Sequence, residues 1–428
     1  MSSTTAPPAD SPTAPIIDYQ PITELTGTGR AVVWFSIVSF FFLTQIAYNI
    51  GEFPVAVDLI SYAVFTAYLV TSGNAALSVP SAYLLVCLVG LGGFRIPFST
   101  SSSSWSSLLL LCSLYVPFLF RLVRRPQLRP VADYIIAVYV TVASVIAAVG
   151  LVQLVLVNAA KMSTLTNIYY VLPDAIRGAG HYTRFREDSG ITKANGFFLR
   201  ESADLSLVTA LAILLEYQSR RRLATLVLLG AGLLASLSGS GLVALAAAFL
   251  LPKSLSRVPL FVALAAGLAL VLIVLYSLDS PVLNLWFGRL SEFGQTGTSA
   301  YARFQAPMDM IERSFDKGIL TTWFGSGAGS FFRDLATAHF KYEVADPTWA
   351  KLIYEYGIIG FILLLALFLL RLYSSSAPIE VCNFFLLSWI SFSLVLKPGY
   401  ALIIWLLTLV PSMSGPTGGG GQAKYDAK

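Results

Sequence analysis

The sequence predicts an all-α, polytopic integral membrane protein of about twelve transmembrane helices, with two large extracytoplasmic loops that contain short helices. Three observations carry this. The chain of 428 residues is 56% hydrophobic and only 12% charged. Its long apolar runs approach the length a helix needs to cross ~30 Å of hydrocarbon, where a helix satisfies its own backbone groups. Both histidines and most of the charge outside the spans fall in two polar interruptions, about 158–202 and 278–349.

Residues 1–30 are polar and rich in Pro, Ser and Thr, and read as a disordered tail without a cleavable signal peptide. The spans follow at about 31–50, 55–72, 78–93, 104–123, 131–157, 203–217, 223–236, 240–252, 258–277, 350–372, 378–395 and 398–412. Together 31–414 make one transmembrane domain, and 415–428, with four consecutive glycines, is a second flexible tail.

Basic residues in short connections set the orientation. Arg121, Arg124, Arg125 and Arg129 mark one cytoplasmic connection, Arg220, Arg221 and Arg222 a second, Lys253 with Arg257 a third, and Arg371 a fourth. These agree only if the apolar stretch 223–251 crosses twice, breaking at Ser236-Leu-Ser-Gly-Ser-Gly241. Both termini are then cytoplasmic and both long loops external. Arg95 falls outside, against the pattern. The net charge of +5 is spent on topology, which argues against nucleic-acid binding. Cys87, Cys112 and Cys382 lie in apolar runs without metal-ligand spacing and read as packing residues.

The first loop is either a plain connector or a site. His181, Arg184, Arg186, Glu187, Asp188 and Lys193 fall within thirteen residues. It closes on Asn195-Gly-Phe-Phe-Leu-Arg-Glu-Ser202. Glu201 and Asp204 suit a helix N-terminus as caps; Arg200 has no such explanation.

The second loop opens with Trp286, Arg289 and Leu290, an interfacial segment, then Ser299-Ala-Tyr-Ala-Arg303. After Pro307, an apolar stripe of Met308, Ile311 and Phe315 opposes Asp309, Glu312, Arg313 and Asp316, as in a helix lying on a membrane. In Trp323-Phe-Gly-Ser-Gly-Ala-Gly329, the three alternate glycines Gly325, Gly327 and Gly329 permit a tight turn whose amides can face an anion. His339, Lys341, Glu343 and Asp346 then approach the membrane. Lys351 and Glu355, four apart near the outer end of a span, form a mutual pair or face a wet cavity.

In this order the pieces resemble the O-antigen ligase and polymerase superfamily, over about 190 to 360. Lys193 to Ser202 is similar to the family's basic–Gly–aromatic–Glu-Ser lead into a helix. Leu237-Ser-Gly-Ser-Gly-Leu242 is similar to its Ser/Thr-x-Ser-Gly turn, and Arg303 to the arginine that opens its large loop. Phe324-Gly-Ser-Gly-Ala-Gly329 is similar to its Phe-Gly-x-Gly box, and Glu355-Tyr-Gly-Ile-Ile-Gly360 to its closing Glu-x-Gly-(Ile/Val)-x-Gly. Ligases of the family carry His-Asn eleven residues before the first glycine of that last box. Here Asp346 and Pro347 stand there, which looks more like an exopolysaccharide polymerase.

The resemblance implies a membrane glycosyltransferase in the bacterial inner membrane, with its active site on the periplasmic face. Its donor would be a glycan on undecaprenyl diphosphate and its acceptor a hydroxyl of a second lipid-linked glycan. It would need neither metal nor cofactor. Partners would be the bilayer and a chain-length regulator, with no nucleic acid. Arg303, helped by Arg200 and by Arg184 or Arg186, would neutralise the departing diphosphate. The base would be Asp346, then His339, then Glu201. His181, Lys193, Gly325, Gly327, Lys351 and Glu355 complete the implied substrate site. A ligase moving glycan to lipid A core or protein, a transporter or flippase, and an inactive scaffold remain open as alternatives.

Overall fold

Helices dominate the chain, as its apolar runs require. The computed structural model describes residues 26–50, 53–99, 103–123, 128–177, 192–251, 298–338 and 340–412, with isolated positions between 256 and 296. His181, Arg184, Arg186 and His339 lie outside the described residues, as do Arg124, Arg125, Lys253, Arg257, Trp286, Arg289, Leu290 and most of the expected span 258–277.

Among the described residues three helices are long and apolar enough to cross a membrane: Val79–Phe98, Arg129–Asn158 and Thr348–Tyr373. Shorter apolar helices accompany them at Gly27–Phe42 (α1), Val57–Thr71 (α2), Trp105–Leu119, Leu223–Ala235 (α7), Ser240–Leu250 (α8), Ile379–Ser391 (α14) and Pro398–Leu407 (α15). We label the α-helical part of the first long helix, Val79–Arg95, α3; Trp105–Tyr115 α4; Arg129–Asn158 α5; Ser202–Ser219 α6; and Thr348–Tyr373 α13. Several expected spans end early. The stretches 47–50 and 53–56, expected to be helical in part, pair as antiparallel strands β1 and β2. Ala75–Leu77 (β3) and Phe120–Leu122 (β4) pair likewise. These short ladders satisfy backbone groups where helices stop.

One apolar core joins α1, α2, α5, α6, α7 and α13 to α15. At one end of it Arg371 and Arg121 are held by carbonyls and a hydroxyl. Arg371 is fully buried and donates to Phe120 O at 2.7 Å, Thr408 Oγ1 at 3.0 Å and Trp405 O at 3.2 Å. Arg121 donates to Leu370 O at 3.1 Å and Ser374 O at 3.3 Å, closing the C-terminus of α13.

The apolar stretch 223–251 reverses where expected. α7 ends at Ala235 and α8 starts at Ser240. The turn docks on the first turn of α6: Ser206 Oγ donates to Ser238 O at 2.9 Å and accepts from Gly241 N–H at 2.9 Å. A Cβ on Gly241 would sit 2.1 Å from Ser206 O, so only glycine fits. Far along both helices, Tyr217 and Phe249 meet ring to ring at 5.9 Å, so α8 runs alongside α6 in the same direction.

The end of the first loop is built around one buried glutamine near the end of α5. Gln153 Oε1 accepts from the backbone N–H groups of Asn195, Gly196 and Phe197 at 3.0, 2.9 and 3.2 Å. Its Nε2 donates to Leu165 O, Thr166 O and Asn195 Oδ1. Gly196 and Phe197 both take positive φ (71° and 65°), a tight turn held by Gln153 together with Asn195, whose Oδ1 accepts from Phe197 N–H at 3.0 Å. Gln153→Leu strips the amides of Asn195 and Gly196 of their acceptor and leaves Phe197 N–H with Asn195 Oδ1 alone. The expected loss is about 2–4 kcal/mol, read as a lower melting temperature of the protein in detergent.

The second loop folds as a cap of four short helices on the start of α13: Ser299–Phe304 (α9), Ala306–Asp316 (α10), Ile319–Phe324 (α11) and Ser330–Thr337 (α12). Ala306, Met310, Phe331, Val344 and Tyr354 form its small core. The amphipathic phase of α10 therefore differs from expectation. Met310 and Ile311 point inward with Ser314, whereas Met308 and Phe315 are exposed. Helical spacing alone admitted both stripes, and the apolar faces of Phe331 and Tyr354 select the one containing Met310.

Candidate active site

Gly325, Gly327, Asp346, Lys351 and Glu355 gather at the end of α13 opposite Arg371. The two glycine-rich boxes form one joint there. Ser326 N–H donates to Tyr354 O at 2.8 Å and Gly327 N–H to Glu355 O at 2.9 Å. Gly357 breaks α13 with φ 70° and ψ −177°, and Gly325 adopts φ 79° and ψ 177°. A Cβ on Gly325 would lie 2.3 Å from Glu355 O, and one on Gly357 would lie 2.3 Å from Trp323 O. The backbones touch through their glycines, each needing the other bare. The expected anion cradle at Gly325 and Gly327 is therefore corrected. Gly325 N–H bonds Thr321 O, Gly327 N–H bonds Glu355 O, and these amides hold the chain's own carbonyls.

Arg95 explains its own misplacement in the charge pattern. From the end of α3 its Nε donates to Gly325 O at 2.7 Å, and one terminal nitrogen to Thr321 Oγ1 at 3.2 Å. The arginine clamps the cap to the bundle, a pairing across more than two hundred residues that no local spacing shows. Arg95→Ala is expected to speed proteolysis between 318 and 337 several-fold, measured by limited trypsin digestion, with α13 left intact.

Lys351 and Glu355 do not pair, contrary to one reading of their spacing. Lys351 Nζ donates to Asp346 Oδ2 at 3.2 Å and lies 4.1 Å from the Phe332 ring centroid. Glu355 is 1% exposed, and both its carboxylate oxygens are buried without a hydrogen-bond partner. The amides of Gly329 and Phe331, at the first turn of α12, face it from beyond hydrogen-bond geometry.

Arg303 and Asp346 come together through the backbone. Ala345 N–H donates to Ala302 O at 2.9 Å, so each is the next residue after a bonded pair. The Arg303 guanidinium lies over the Phe392 ring at 5.8 Å, and Phe392 O accepts from Thr348 Oγ1 at 2.9 Å, two residues past Asp346.

Beside them lies a cleft lined by Phe40, Thr44, Asp58, Arg200, Asp204, Lys397 and Tyr400. Side-chain amides hold the segment that delivers Arg200. Gln45 donates to Phe198 O and Leu199 O, and Asn167 to Leu199 O and Arg200 O. Arg200 itself donates to Thr44 O at 3.2 Å. Asp204 caps α6 by accepting from Glu201 N–H at 3.2 Å, as expected. Its other oxygen takes Tyr400 Oη at 2.8 Å and Lys397 Nζ at 3.4 Å, which capping alone does not need. Partial burial works against the charge on Lys397, but Asp204 and Glu201 outweigh it and hold the ammonium above the usual lysine range. Asp346 acts on Lys397 in the same sense. Lys193 stands half-buried just before this segment, ahead of Ala194, whose N–H donates to Ala235 O.

Asp58, Lys397, Tyr400 and Arg95 escaped the sequence reading because each sits in or beside an apolar run. Their signal was a lone polar residue at a span's edge. No protein-family model and no curated protein matches the chain.

Proposed function

We propose that the protein is a polysaccharide polymerase of the bacterial inner membrane. It transfers a glycan from undecaprenyl diphosphate to the hydroxyl of a second lipid-linked glycan at the periplasmic face. The observation that carries this reading is the backbone bond between Ala302 and Ala345, which brings the backbone at Arg303 next to that at Asp346. In this reading Arg303 offers a fixed fork of donors to the departing diphosphate. Asp346 accepts the proton of the attacking hydroxyl, and the new glycosidic bond forms as the bond to the diphosphate breaks. Lys351 holds the Asp346 carboxylate in place. The lipid tail lies against the exposed apolar side chains of the cap, among them Ile319 and Leu320. Twelve crossings with cytoplasmic termini and external loops belong to the same proposal.

The test uses purified protein in nanodiscs with undecaprenyl-diphosphate-linked repeat units as the only substrate. A ladder of longer glycans, with one undecaprenyl diphosphate released per bond, is the expected result. Substrate that stays unextended, or merely changes leaflet, contradicts it.

A further inference from the structure

We propose that the cleft between α1, α2, α6 and α15 binds the hydroxyl-bearing edge of a sugar ring of the acceptor glycan, an inference that rests on the glycan-transfer reading above. It assigns Arg200 to the sugar rather than to the diphosphate.

The cleft is a built site. Asp58 is 1% exposed and is one of the residues lining the cleft. Leu59 N–H donates to its Oδ1 at 2.9 Å and Thr44 Oγ1 to its Oδ2 at 3.3 Å. A Cβ on Gly399 would lie 2.9 Å from Asp58 Oδ2 and 2.5 Å from the Phe40 ring. α15 can approach the carboxylate this closely only because that position is glycine. Across the cleft Asp204 carries Lys397 and Tyr400, and Arg200 enters from a third side.

The balance of these groups selects the ligand. Two carboxylates face one ammonium and one guanidinium, so the fixed charges cancel. A diphosphate needs an excess of cations, and a bare metal ion an excess of anions; the cleft has neither. A sugar hydroxyl both donates and accepts, and adjacent hydroxyls require acceptors and donors side by side. Asp58, Asp204 and the Tyr400 hydroxyl, whose proton is spent on Asp204, accept, while Arg200 and Lys397 donate. Phe40 and Tyr400, edge to face at 5.5 Å, add an apolar wall for the ring's C–H groups. The cleft is narrow, about 10 Å³, and admits a single hydroxyl of a ring's edge. A sugar held there lies beside Lys397.

Saturation-transfer NMR on the full chain in nanodiscs tests this, with methyl glycosides of glucose, galactose and mannose as probes and sodium pyrophosphate as the contrast. Wild-type protein is expected to saturate at least one glycoside. Asp58→Asn and Tyr400→Phe are each expected to weaken that glycoside tenfold or more and to leave pyrophosphate binding unchanged. Tyr400→Phe keeps the ring and its packing, so it still tests the site if Asp58→Asn does not fold. Wild-type protein that binds none of the glycosides overturns the proposal, as does glycoside binding indifferent to the substitutions. Loss of pyrophosphate binding in the variants overturns it too, because the cleft would then be the diphosphate site. Elongation of carrier-linked glycans that is equal in wild type and both variants overturns the cleft assignment while the transferase reading stands. Glycoside binding in a protein that elongates nothing upholds the sugar site and overturns the transferase reading.

Discussion

Alanine at Gly357 is expected to unseat the second-loop cap and cost about 4 kcal/mol or more, among the largest effects any single substitution has in a folded chain. Two causes add. The residue sits at φ 70° and ψ −177°, a region essentially reserved for glycine, where another residue stores about 1–3 kcal/mol of strain. A Cβ there would also lie 2.3 Å from Trp323 O, and the obstacle is backbone that no rotamer change can move. Gly325→Ala meets the mirror obstacle in Glu355 O and is expected to match it. The measurement is hydrogen exchange at the amides of Ser326 and Gly327, which donate across the joint. Their protection should fall toward that of an open loop, together with a drop in melting temperature. Gly90→Ala is the control: its Cβ would meet nothing within 4 Å, and little change is expected. Equal behaviour of the three variants would mean that the two glycine boxes do not depend on each other.

The second large effect is chemical. Asp346→Asn removes the proposed base and is expected to slow glycan transfer by about 10²–10⁴-fold. It also leaves Lys351, whose side chain is only 5% exposed, without its carboxylate. A loss of activity could then reflect the stranded ammonium rather than the missing base. The double variant Asp346→Asn with Lys351→Met separates these. Removing both charges restores the fold if the pair is structural, and activity returns with it. A stable double variant that stays inactive assigns the loss to the base. The readout is the initial rate of ladder formation at saturating donor.

Much of the architecture was legible because hydropathy and charge both act locally. The reversal at Ser236–Gly239 followed from the need to keep Arg220–Arg222 on one side with Lys253 and Arg257, and α7 and α8 turn there. The capping role of Asp204 followed from its place three residues into α6. What stayed hidden is what needs a partner far along the chain. Gly325 and Gly327 announced a tight turn, but nothing nearby could say that their amides meet α13. Lys351 and Glu355 stand at pairing distance on a helix, yet Lys351 turns back to Asp346 and leaves Glu355 facing the start of α12. Arg95 broke the charge pattern because its partners lie in the cap. Asp58 was invisible for a simpler reason: one carboxylate does not interrupt an apolar run, and only packing with Gly399 and Thr44 gives it a place.

The most direct test of the account compares wild type with Arg303→Ala and Asp346→Asn, each checked for membrane insertion, by running carrier-linked glycans from cells on a gel. Both variants are expected to insert normally and to accumulate single, unextended repeat units. Normal chain length with glycan that fails to reach its final acceptor would make the protein a ligase. Glycan synthesis and attachment unchanged in both variants would contradict the catalytic assignment outright.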